Sequence, residues 1–187
     1  MGKLIYAALS SLDGYIADSK GNFEWAEPME DVHSYINEIE AQNGTLLLGK
    51  DMFEILSVWD DIPDIEEQAS YIQAYQAAWQ ASRKIVFSTT LKQVNTANTE
   101  LKHSFEKAEI QALKNQSEKN IGIGGAKLAS HALKLGLIDE IYHFVFPIMV
   151  GSGKAWVEAS YTQHFERLAT QAFANSVVMT HYRVDHD

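Results

Sequence analysis

Two patterns of apolar residues alternate along the chain. Short, nearly continuous apolar runs are typical of strands covered on both faces. These runs occupy residues 3–9, 45–48, 84–88 and 120–123. Apolar residues spaced three and four positions apart predict helices. This spacing covers residues 31–42, 65–82, 105–116 and 127–135, and another helix is predicted just after Gly49. Residues 10–22 predict a polar loop, and two strands without an intervening helix are predicted at 138–150 and 176–184.

The order of these segments predicts an α/β fold. Strands that alternate with helices form a mostly parallel central sheet, and the final pair of strands adds an antiparallel C-terminal edge. Helices are expected on both faces, which gives three layers. Residues 1–187 contain no linker-like or repeated segment, so we expect a single domain. Because ligands of such sheets bind at the carboxyl ends of strands, the turns near 48–50, 87–91 and 121–127 are the candidate site.

Composition removes several classes of function. The net charge is −10 and no Lys/Arg cluster is present, so no nucleic-acid partner is expected. No apolar run is long enough for a membrane span. The absence of cysteine excludes disulfides and thiol catalysis, and the seven histidines lack ligand spacing, so no metal site is expected. Without a signal-peptide pattern in the first residues, we expect a cytoplasmic protein.

The segment IGIGGAKL at 121–128 joins a predicted strand to a predicted helix. Glycine permits positive φ and close approach of a ligand to the backbone, and the start of a helix presents unpaired N–H groups. A dinucleotide pyrophosphate fits such a turn, although a tight connection without a ligand would use the same residues. The third glycine of the Rossmann fingerprint is missing.

Two other strand ends carry weaker signals. Gly49 and Lys50 follow a buried run and offer a second place for phosphate, but an ordinary surface lysine would give the same pattern. The hydroxyls of Ser88 and Thr89 also follow a strand, where capping of the next turn explains them equally well.

The order and spacing of segments 8–16, 47–54, 84–91 and 123–153 resemble the dihydrofolate-reductase-like family. The resemblance is to the reductase domain of the bifunctional riboflavin-biosynthesis deaminase-reductase and to its stand-alone bacterial relatives. It implies a dihydrofolate-reductase-like fold, a homodimer and an NADPH-dependent reductase that acts on a small heterocyclic or ribosylamino-pyrimidine substrate. NADH is an alternative cofactor, because Lys50 and Thr89 stand where the family often has arginine. A nucleotide-binding or regulatory module with the same fold and no turnover is the alternative function.

The resemblance also implies roles for individual residues. The cofactor would contact Ala8, Leu12, Asp13, Gly14, Ile16, Gly49, Lys50, Phe53, Ser88, Thr89, Leu91, Ile123, Gly124, Gly125, Ala126, Lys127 and Leu128. Asp31, on the first predicted helix, and Asp13 are candidate proton donors. A first-turn acid favoured by the helix dipole and an Asp-Gly turn are their simpler explanations. The candidate walls for a flat substrate are Trp25, Phe53 and Trp59.

Overall fold

A computed structural model describes residues 1–186, which form ten strands and five α-helices. The strands are β1 (Leu4–Ser11), β2 (Tyr15–Asp18), β3 (Asn43–Gly49), β4 (Arg83–Phe87), β5 (Thr99–Lys102), β6 (Asn120–Gly124), β7 (Glu140–Phe146), β8 (Gly153–Ala155), β9 (Phe165–Ala172) and β10 (Val178–Val184). The helices are α1 (Glu30–Glu40), α2 (Lys50–Leu56), α3 (Ser70–Ala81), α4 (Lys107–Gln116) and α5 (Ala126–Lys134).

Eight strands form one sheet in the order β5-β4-β3-β6-β1-β7-β10-β9. The first six in this order pair in parallel, and β10 pairs antiparallel with both β7 and β9. The predicted mostly parallel sheet with an antiparallel C-terminal edge is therefore confirmed. The remaining strands, β2 and β8, form a separate antiparallel ribbon.

Helices cover the sheet on both sides, because side chains alternate between the two faces of each strand. Ile121 and Ile123 of β6 pack with Ala129 and Leu133 of α5 in one core cluster. The opposite face carries two further clusters, one formed with α1 and the other with α2 and α3. Gly122 and Gly124 alternate with the two isoleucines and so lie on this second face.

The loop predicted at 10–22 is partly wrong. Strand β1 continues to Ser11, and β2 lies inside the segment because Tyr15 and Asp18 pair with the short strand β8. With only four residues, β2 is too short to show a recognisable pattern, and its partner β8 is distant in the sequence.

Two other predicted elements are shorter than expected. The helix predicted at 65–82 is interrupted: a 3-10 turn at Ile65–Glu67 is followed by extended backbone at Gln68 and Ala69 before α3 begins. The side-chain amide of Gln73 satisfies the carbonyl of Gln68 at 2.7 Å in place of a helical N–H. The strand predicted at 138–150 ends at Phe146, because the following proline has no N–H to donate to the sheet.

Strands β5 and β9 were not predicted. Both lie at the ends of the sheet order, and every residue of β9 is exposed. A strand without a buried face shows no alternation of apolar and polar residues, so the pattern that reveals the inner strands is missing here.

Candidate functional site

A cavity of about 1480 Å³ runs along the sheet on the α1 and α3 side and extends across the carboxyl ends of the strands to the first turns of α5. Its floor is formed by Gly122 and Gly124 of β6. A Cβ atom at Gly122 would lie 2.8 Å from Cδ2 of Leu46, and one at Gly124 would lie 2.9 Å from Cδ2 of Leu48. Because these distances are too short for real side chains, glycine at both positions is what allows the two leucines of β3 to pack against β6 at the cavity floor.

The three turns suggested by the sequence meet at the mouth of the cavity. In the parallel register Leu48 lies beside Gly124, and Gly49 lies beside Phe87. A Cβ at Gly125, where φ is +100°, would be 3.7 Å from the backbone nitrogen of Gly49. The turns after β3, β4 and β6 are therefore adjacent, and all three line the cavity.

Helix α5 begins at this mouth. No side chain caps its first turn, and its first three residues, Ala126, Lys127 and Leu128, all line the cavity together with Ile123, Gly124 and Gly125. Uncapped N–H groups at the start of a helix attract an anion. The backbone at this point can thus hold a phosphate group.

Three lysines add positive charge to the mouth. Lys50, Lys127 and Lys154 line the cavity. Nζ of Lys154 lies 3.3 Å from Oδ2 of Asp51, which places β8 against the first turn of α2. Nζ of Lys50 is 3.8 Å from Glu54, and both side chains are largely exposed, so this ion pair is weak. The lysines can therefore turn towards an anionic ligand at little cost.

The turn after β4 is held by its own serine. Oγ of Ser88 accepts hydrogen bonds from the N–H groups of Thr90 and Leu91 at 3.1 and 3.0 Å, as the capping alternative requires. Ser88 and Thr89 line the cavity, whereas Leu91 packs against the apolar cluster that contains Leu46 and Leu48. The side chain of Leu91 is thus a support for the turn.

The segment at 12–16 reaches the cavity only at its end. Ala8 and Ile16 line the cavity, whereas Leu12, Asp13 and Gly14 do not. Leu12 is 65% exposed. The carbonyl of Gly14 accepts a hydrogen bond from the N–H of Trp156, the residue that follows β8. Of the residues at 12–16 that the resemblance assigns to the cofactor, the structure places only Ile16 in the cavity lining.

Asp13 ties two loops together. Ser11 Oγ donates to its carboxylate at 2.6 Å, and the N–H groups of Gly151 and Val150 donate at 2.7 and 3.2 Å. The hydrogen bond from Ser11, followed by those from the backbone, lowers the pKa of Asp13. An ionised carboxylate with these partners is a poor proton donor. The role that its hydrogen bonds support is structural, because they connect the loop after β1 to the loop before β8.

Asp31 also lies outside the cavity lining. Its carboxylate accepts from the N–H of Val32 at 2.8 Å and from the N–H of Ala174 at 3.1 Å. It therefore fixes the start of α1 to the turn between β9 and β10. The structure does not bring this candidate proton donor to the cavity.

Of the three aromatic residues suggested as substrate walls, only Trp59 lines the cavity. Phe53 is buried in the apolar cluster beneath α2. Trp25 packs edge-on against Phe146 and donates its indole N–H to the carbonyl of Asn22 at 3.2 Å. Phe53 and Trp25 support the scaffold around the cavity.

An aromatic cluster around His33, which the sequence does not predict, also lines the cavity. The ring of His33 lies 5.9, 5.0 and 5.4 Å from those of Trp59, Tyr71 and Tyr75, and all four residues line the cavity. Burial lowers the pKa of His33 and so favours the neutral imidazole. This cluster gives a flat ligand an aromatic wall in a dry environment.

Helix α1 contributes His33, Ile36 and Glu40 to the cavity lining. Their spacing of three and four residues places them on one face of the helix. This spacing could have revealed the site in the sequence, because it places two titratable residues on the apolar face of a helix that is expected to pack on the sheet.

No group of three or more His, Asp and Glu side chains within residues 1–186 is placed to hold a metal ion. The same residues include no helix with the length and apolar character needed to cross a membrane.

A family model described as the RibD C-terminal domain matches residues 2–179. The chain belongs to the RibD C-terminal domain family. This member of the family is 24% identical over 184 residues to the uncharacterized protein YyaP of Bacillus subtilis (strain 168), and the match covers 96% of this chain and 94% of YyaP.

Solved structures agree on the fold. A protein from Shewanella sp. PV-4, whose name assigns it provisionally to riboflavin biosynthesis, superposes with a TM-score of 0.78 at 23% identity and covers 98% of this chain and 99% of its own. The dihydrofolate reductase of Enterococcus faecalis, solved with NADP(H), gives a TM-score of 0.68 at 17% identity and covers 98% and 97%. This member of the RibD C-terminal domain family therefore has the dihydrofolate-reductase-like fold that its sequence predicts.

Proposed function

We propose that this protein is an NADPH-dependent reductase that transfers hydride to a small heterocyclic or ribosylamino-pyrimidine substrate in the cytoplasm. The observation that carries the proposal is the meeting of three strand-end turns at the mouth of one large cavity, in a member of the RibD C-terminal domain family. The family supports a reductase of the riboflavin pathway, and the cavity supplies room for both cofactor and substrate.

The mouth fits a dinucleotide on its own geometry. Gly125 has a positive φ and no side chain, so the backbone of this turn can approach a pyrophosphate closely. The first N–H groups of α5 would bind its oxygens, with Lys127 and Lys154 as nearby counter-charges. Gly49 and Lys50 extend the same surface towards the turn after β4.

The adenosine end would lie against Ser88 and Thr89. His103, whose Nδ1 is 2.7 Å from the carbonyl of Ser88, also lines this part of the cavity. No arginine lines the cavity among residues 1–186, so a 2′-phosphate would be held without a bidentate clamp. NADPH is expected to bind better than NADH, but by a modest factor.

The bound cofactor supplies the hydride, and the chain supplies position and a dry surrounding. Ala8 and Ile16, which line the cavity, would lie against the nicotinamide. The cluster formed by His33, Trp59 and Tyr75 would hold the flat substrate beside it. Orientation in a space that excludes water is the main catalytic contribution of these residues.

Two measurements test the proposal. NADPH at millimolar concentration should raise the melting temperature, because a ligand that binds only the folded state stabilises it. NADPH oxidation, followed by absorbance, should then be detected with dihydrofolate or with 5-amino-6-(5-phosphoribosylamino)uracil. An unchanged melting temperature with both NADPH and NADH would refute the cofactor assignment. Tight NADPH binding without turnover on either substrate would favour the nucleotide-binding module instead.

A further inference from the structure

The inner end of the cavity, at the carboxyl end of α1, is polar. Glu40 and Asn43 line it, and Nδ2 of Asn43 donates to Oε2 of Glu40 at 3.1 Å. Asn43 is only 5% exposed, and its Oδ1 is buried without a hydrogen-bond partner. A buried acceptor without a partner destabilises a protein, so such groups require an explanation. A donor on a ligand would provide one.

Gly122 of β6 fixes the position of the Asn43 amide. A Cβ at Gly122 would lie 2.9 Å from Nδ2 of Asn43 and 2.8 Å from Cδ2 of Leu46. A side chain at this position would therefore push against the amide of Asn43. Because residue 122 is glycine, the amide can lie against β6, and Gly122, Asn43 and Glu40 all line the same cavity.

The inner end lies far from the lysines of the mouth. Asn43 begins β3 and Gly49 ends it. At the usual rise per strand residue the two are roughly 20 Å apart. Among residues 1–186, the lysines that line the cavity are Lys50, Lys127 and Lys154, and they follow or face the opposite ends of the strands. An anionic group at the inner end would therefore meet the carboxyl group of Glu40 with no lysine or arginine beside it among the residues that line the cavity.

The surroundings of Glu40 suit a neutral partner better than an anion. Burial raises the pKa of Glu40, and the hydrogen bond from Asn43 opposes this rise only in part. The carboxyl oxygens accept hydrogen bonds from N–H groups, and in its protonated form the group also donates one. Together with Oδ1 of Asn43 it can pair with a ring edge that carries N–H donors beside an acceptor. Tyr71 and Tyr75, which line the adjacent wall, offer ring faces against which such a group can pack.

We propose that Glu40 and Asn43 bind the substrate through an uncharged nitrogen heterocycle that carries an amino or ring N–H group beside an acceptor. This inference rests on the proposed function, because it names the part of the reductase substrate that enters the inner end. The pair sets specificity by recognising N–H donors and by rejecting anions.

The test uses three small probes and isothermal titration of the full chain. Isocytosine presents an amino group and a ring N–H beside an acceptor, 2-methylpyrimidin-4-one replaces that amino group by a methyl group of similar size, and orotate is an anionic pyrimidine. Wild-type protein should bind isocytosine at least tenfold more tightly than either of the other two. Asn43→Leu and Glu40→Met, which keep side-chain size but remove the polar atoms, should each weaken isocytosine binding by tenfold or more.

Controls separate this inference from the proposed function and from misfolding. Glu38→Met makes the same chemical change at an exposed site on the same helix and should leave all three affinities unchanged. The NADPH-induced rise in melting temperature should persist in Asn43→Leu and Glu40→Met, since neither residue lies at the mouth. Should Glu40→Met fail to fold, Asn43→Leu still decides the matter.

The opposing results are equally specific. Equal affinity of wild-type protein for isocytosine and its methyl analogue, or no binding of either, would overturn the inference even if NADPH binds. Unchanged isocytosine binding in Asn43→Leu would do the same. If NADPH does not bind but isocytosine is discriminated as expected, the proposed function fails and the inner-end site stands.

Discussion

Gly125 provides the sharpest test of the cofactor site, because a single methyl group can be added at either end of α5. Gly125 precedes the helix with φ +100°, and Gly136 follows it with φ +68°. In both Gly125→Ala and Gly136→Ala, an L side chain is forced into a conformation that it adopts rarely. The cost is about 1–3 kcal/mol for each. For a domain of this size that corresponds to a melting temperature about 2–12 °C lower.

The two variants differ in what the new methyl group meets. At Gly125 it would lie 3.6 Å from Cβ of Met52 and 3.7 Å from the nitrogen of Gly49, between the two turns that form the mouth. At Gly136 its nearest neighbour is the ring of His186 at 3.9 Å, and Gly136 does not line the cavity. Gly125→Ala should therefore weaken NADPH binding at least tenfold, whereas Gly136→Ala should leave the dissociation constant unchanged.

The assay is thermal unfolding with and without NADPH, supported by titration calorimetry. At a concentration 100 times the dissociation constant, a ligand adds about 2.7 kcal/mol, or roughly 5–11 °C at this chain length. A tenfold loss of affinity removes about 1.4 kcal/mol of that gain in Gly125→Ala. Equal ligand-induced shifts in the two variants would refute the placement of the cofactor against this turn.

Three further predictions concern other parts of the chain. Burial lowers the pKa of His143 from 6.5 to about 4. As the pH falls from 6.5 to 4, the imidazole is therefore protonated in the unfolded chain but not in the folded one, and the free energy of unfolding should decrease by about 3 kcal/mol. Denaturant unfolding at several pH values should show a flatter profile for His143→Gln. Asp13→Asn should speed amide exchange at Gly151, and wild-type protein should reach the same state only in acid, as the pH falls through the lowered pKa of Asp13. We also propose a homodimer through the exposed strand β9, and Leu168→Lys should convert a dimer to a monomer in sedimentation velocity, while a wild-type monomer would contradict the proposal.

Most of the scaffold could be predicted from the sequence because its inner strands are buried on both faces. The runs that became β1, β3, β4 and β6 are nearly continuous in apolar residues, and each is followed by a turn signal. Strands β2, β5, β8 and β9 carry no such pattern, since they pair at edges or with one another. Their existence depends on partners that lie far away in the sequence.

The part of the site that depends on the backbone, the glycine turn, could be predicted from the sequence. The part that depends on the direction of side chains could not. The glycines at 124 and 125 mark their turn in the sequence itself, and the structure places that turn at the cavity. Asp31 and His33 stand two residues apart on α1, so they point in different directions, and only His33 lines the cavity. The apolar stripe of α1 shows which face packs on the sheet but not which border of that face meets an open space.

The glycine floor of β6 couples the shape of the cavity to the packing of its neighbours. Gly122 and Gly124 belong to a strand near the middle of the sheet, where the backbone is fixed by neighbours on both sides. An alanine at 122 would have to displace Leu46 or Asn43, and one at 124 would have to displace Leu48 or Met52. The cavity floor can therefore be reshaped only by substitutions made together in β6 and in the side chains that pack over it.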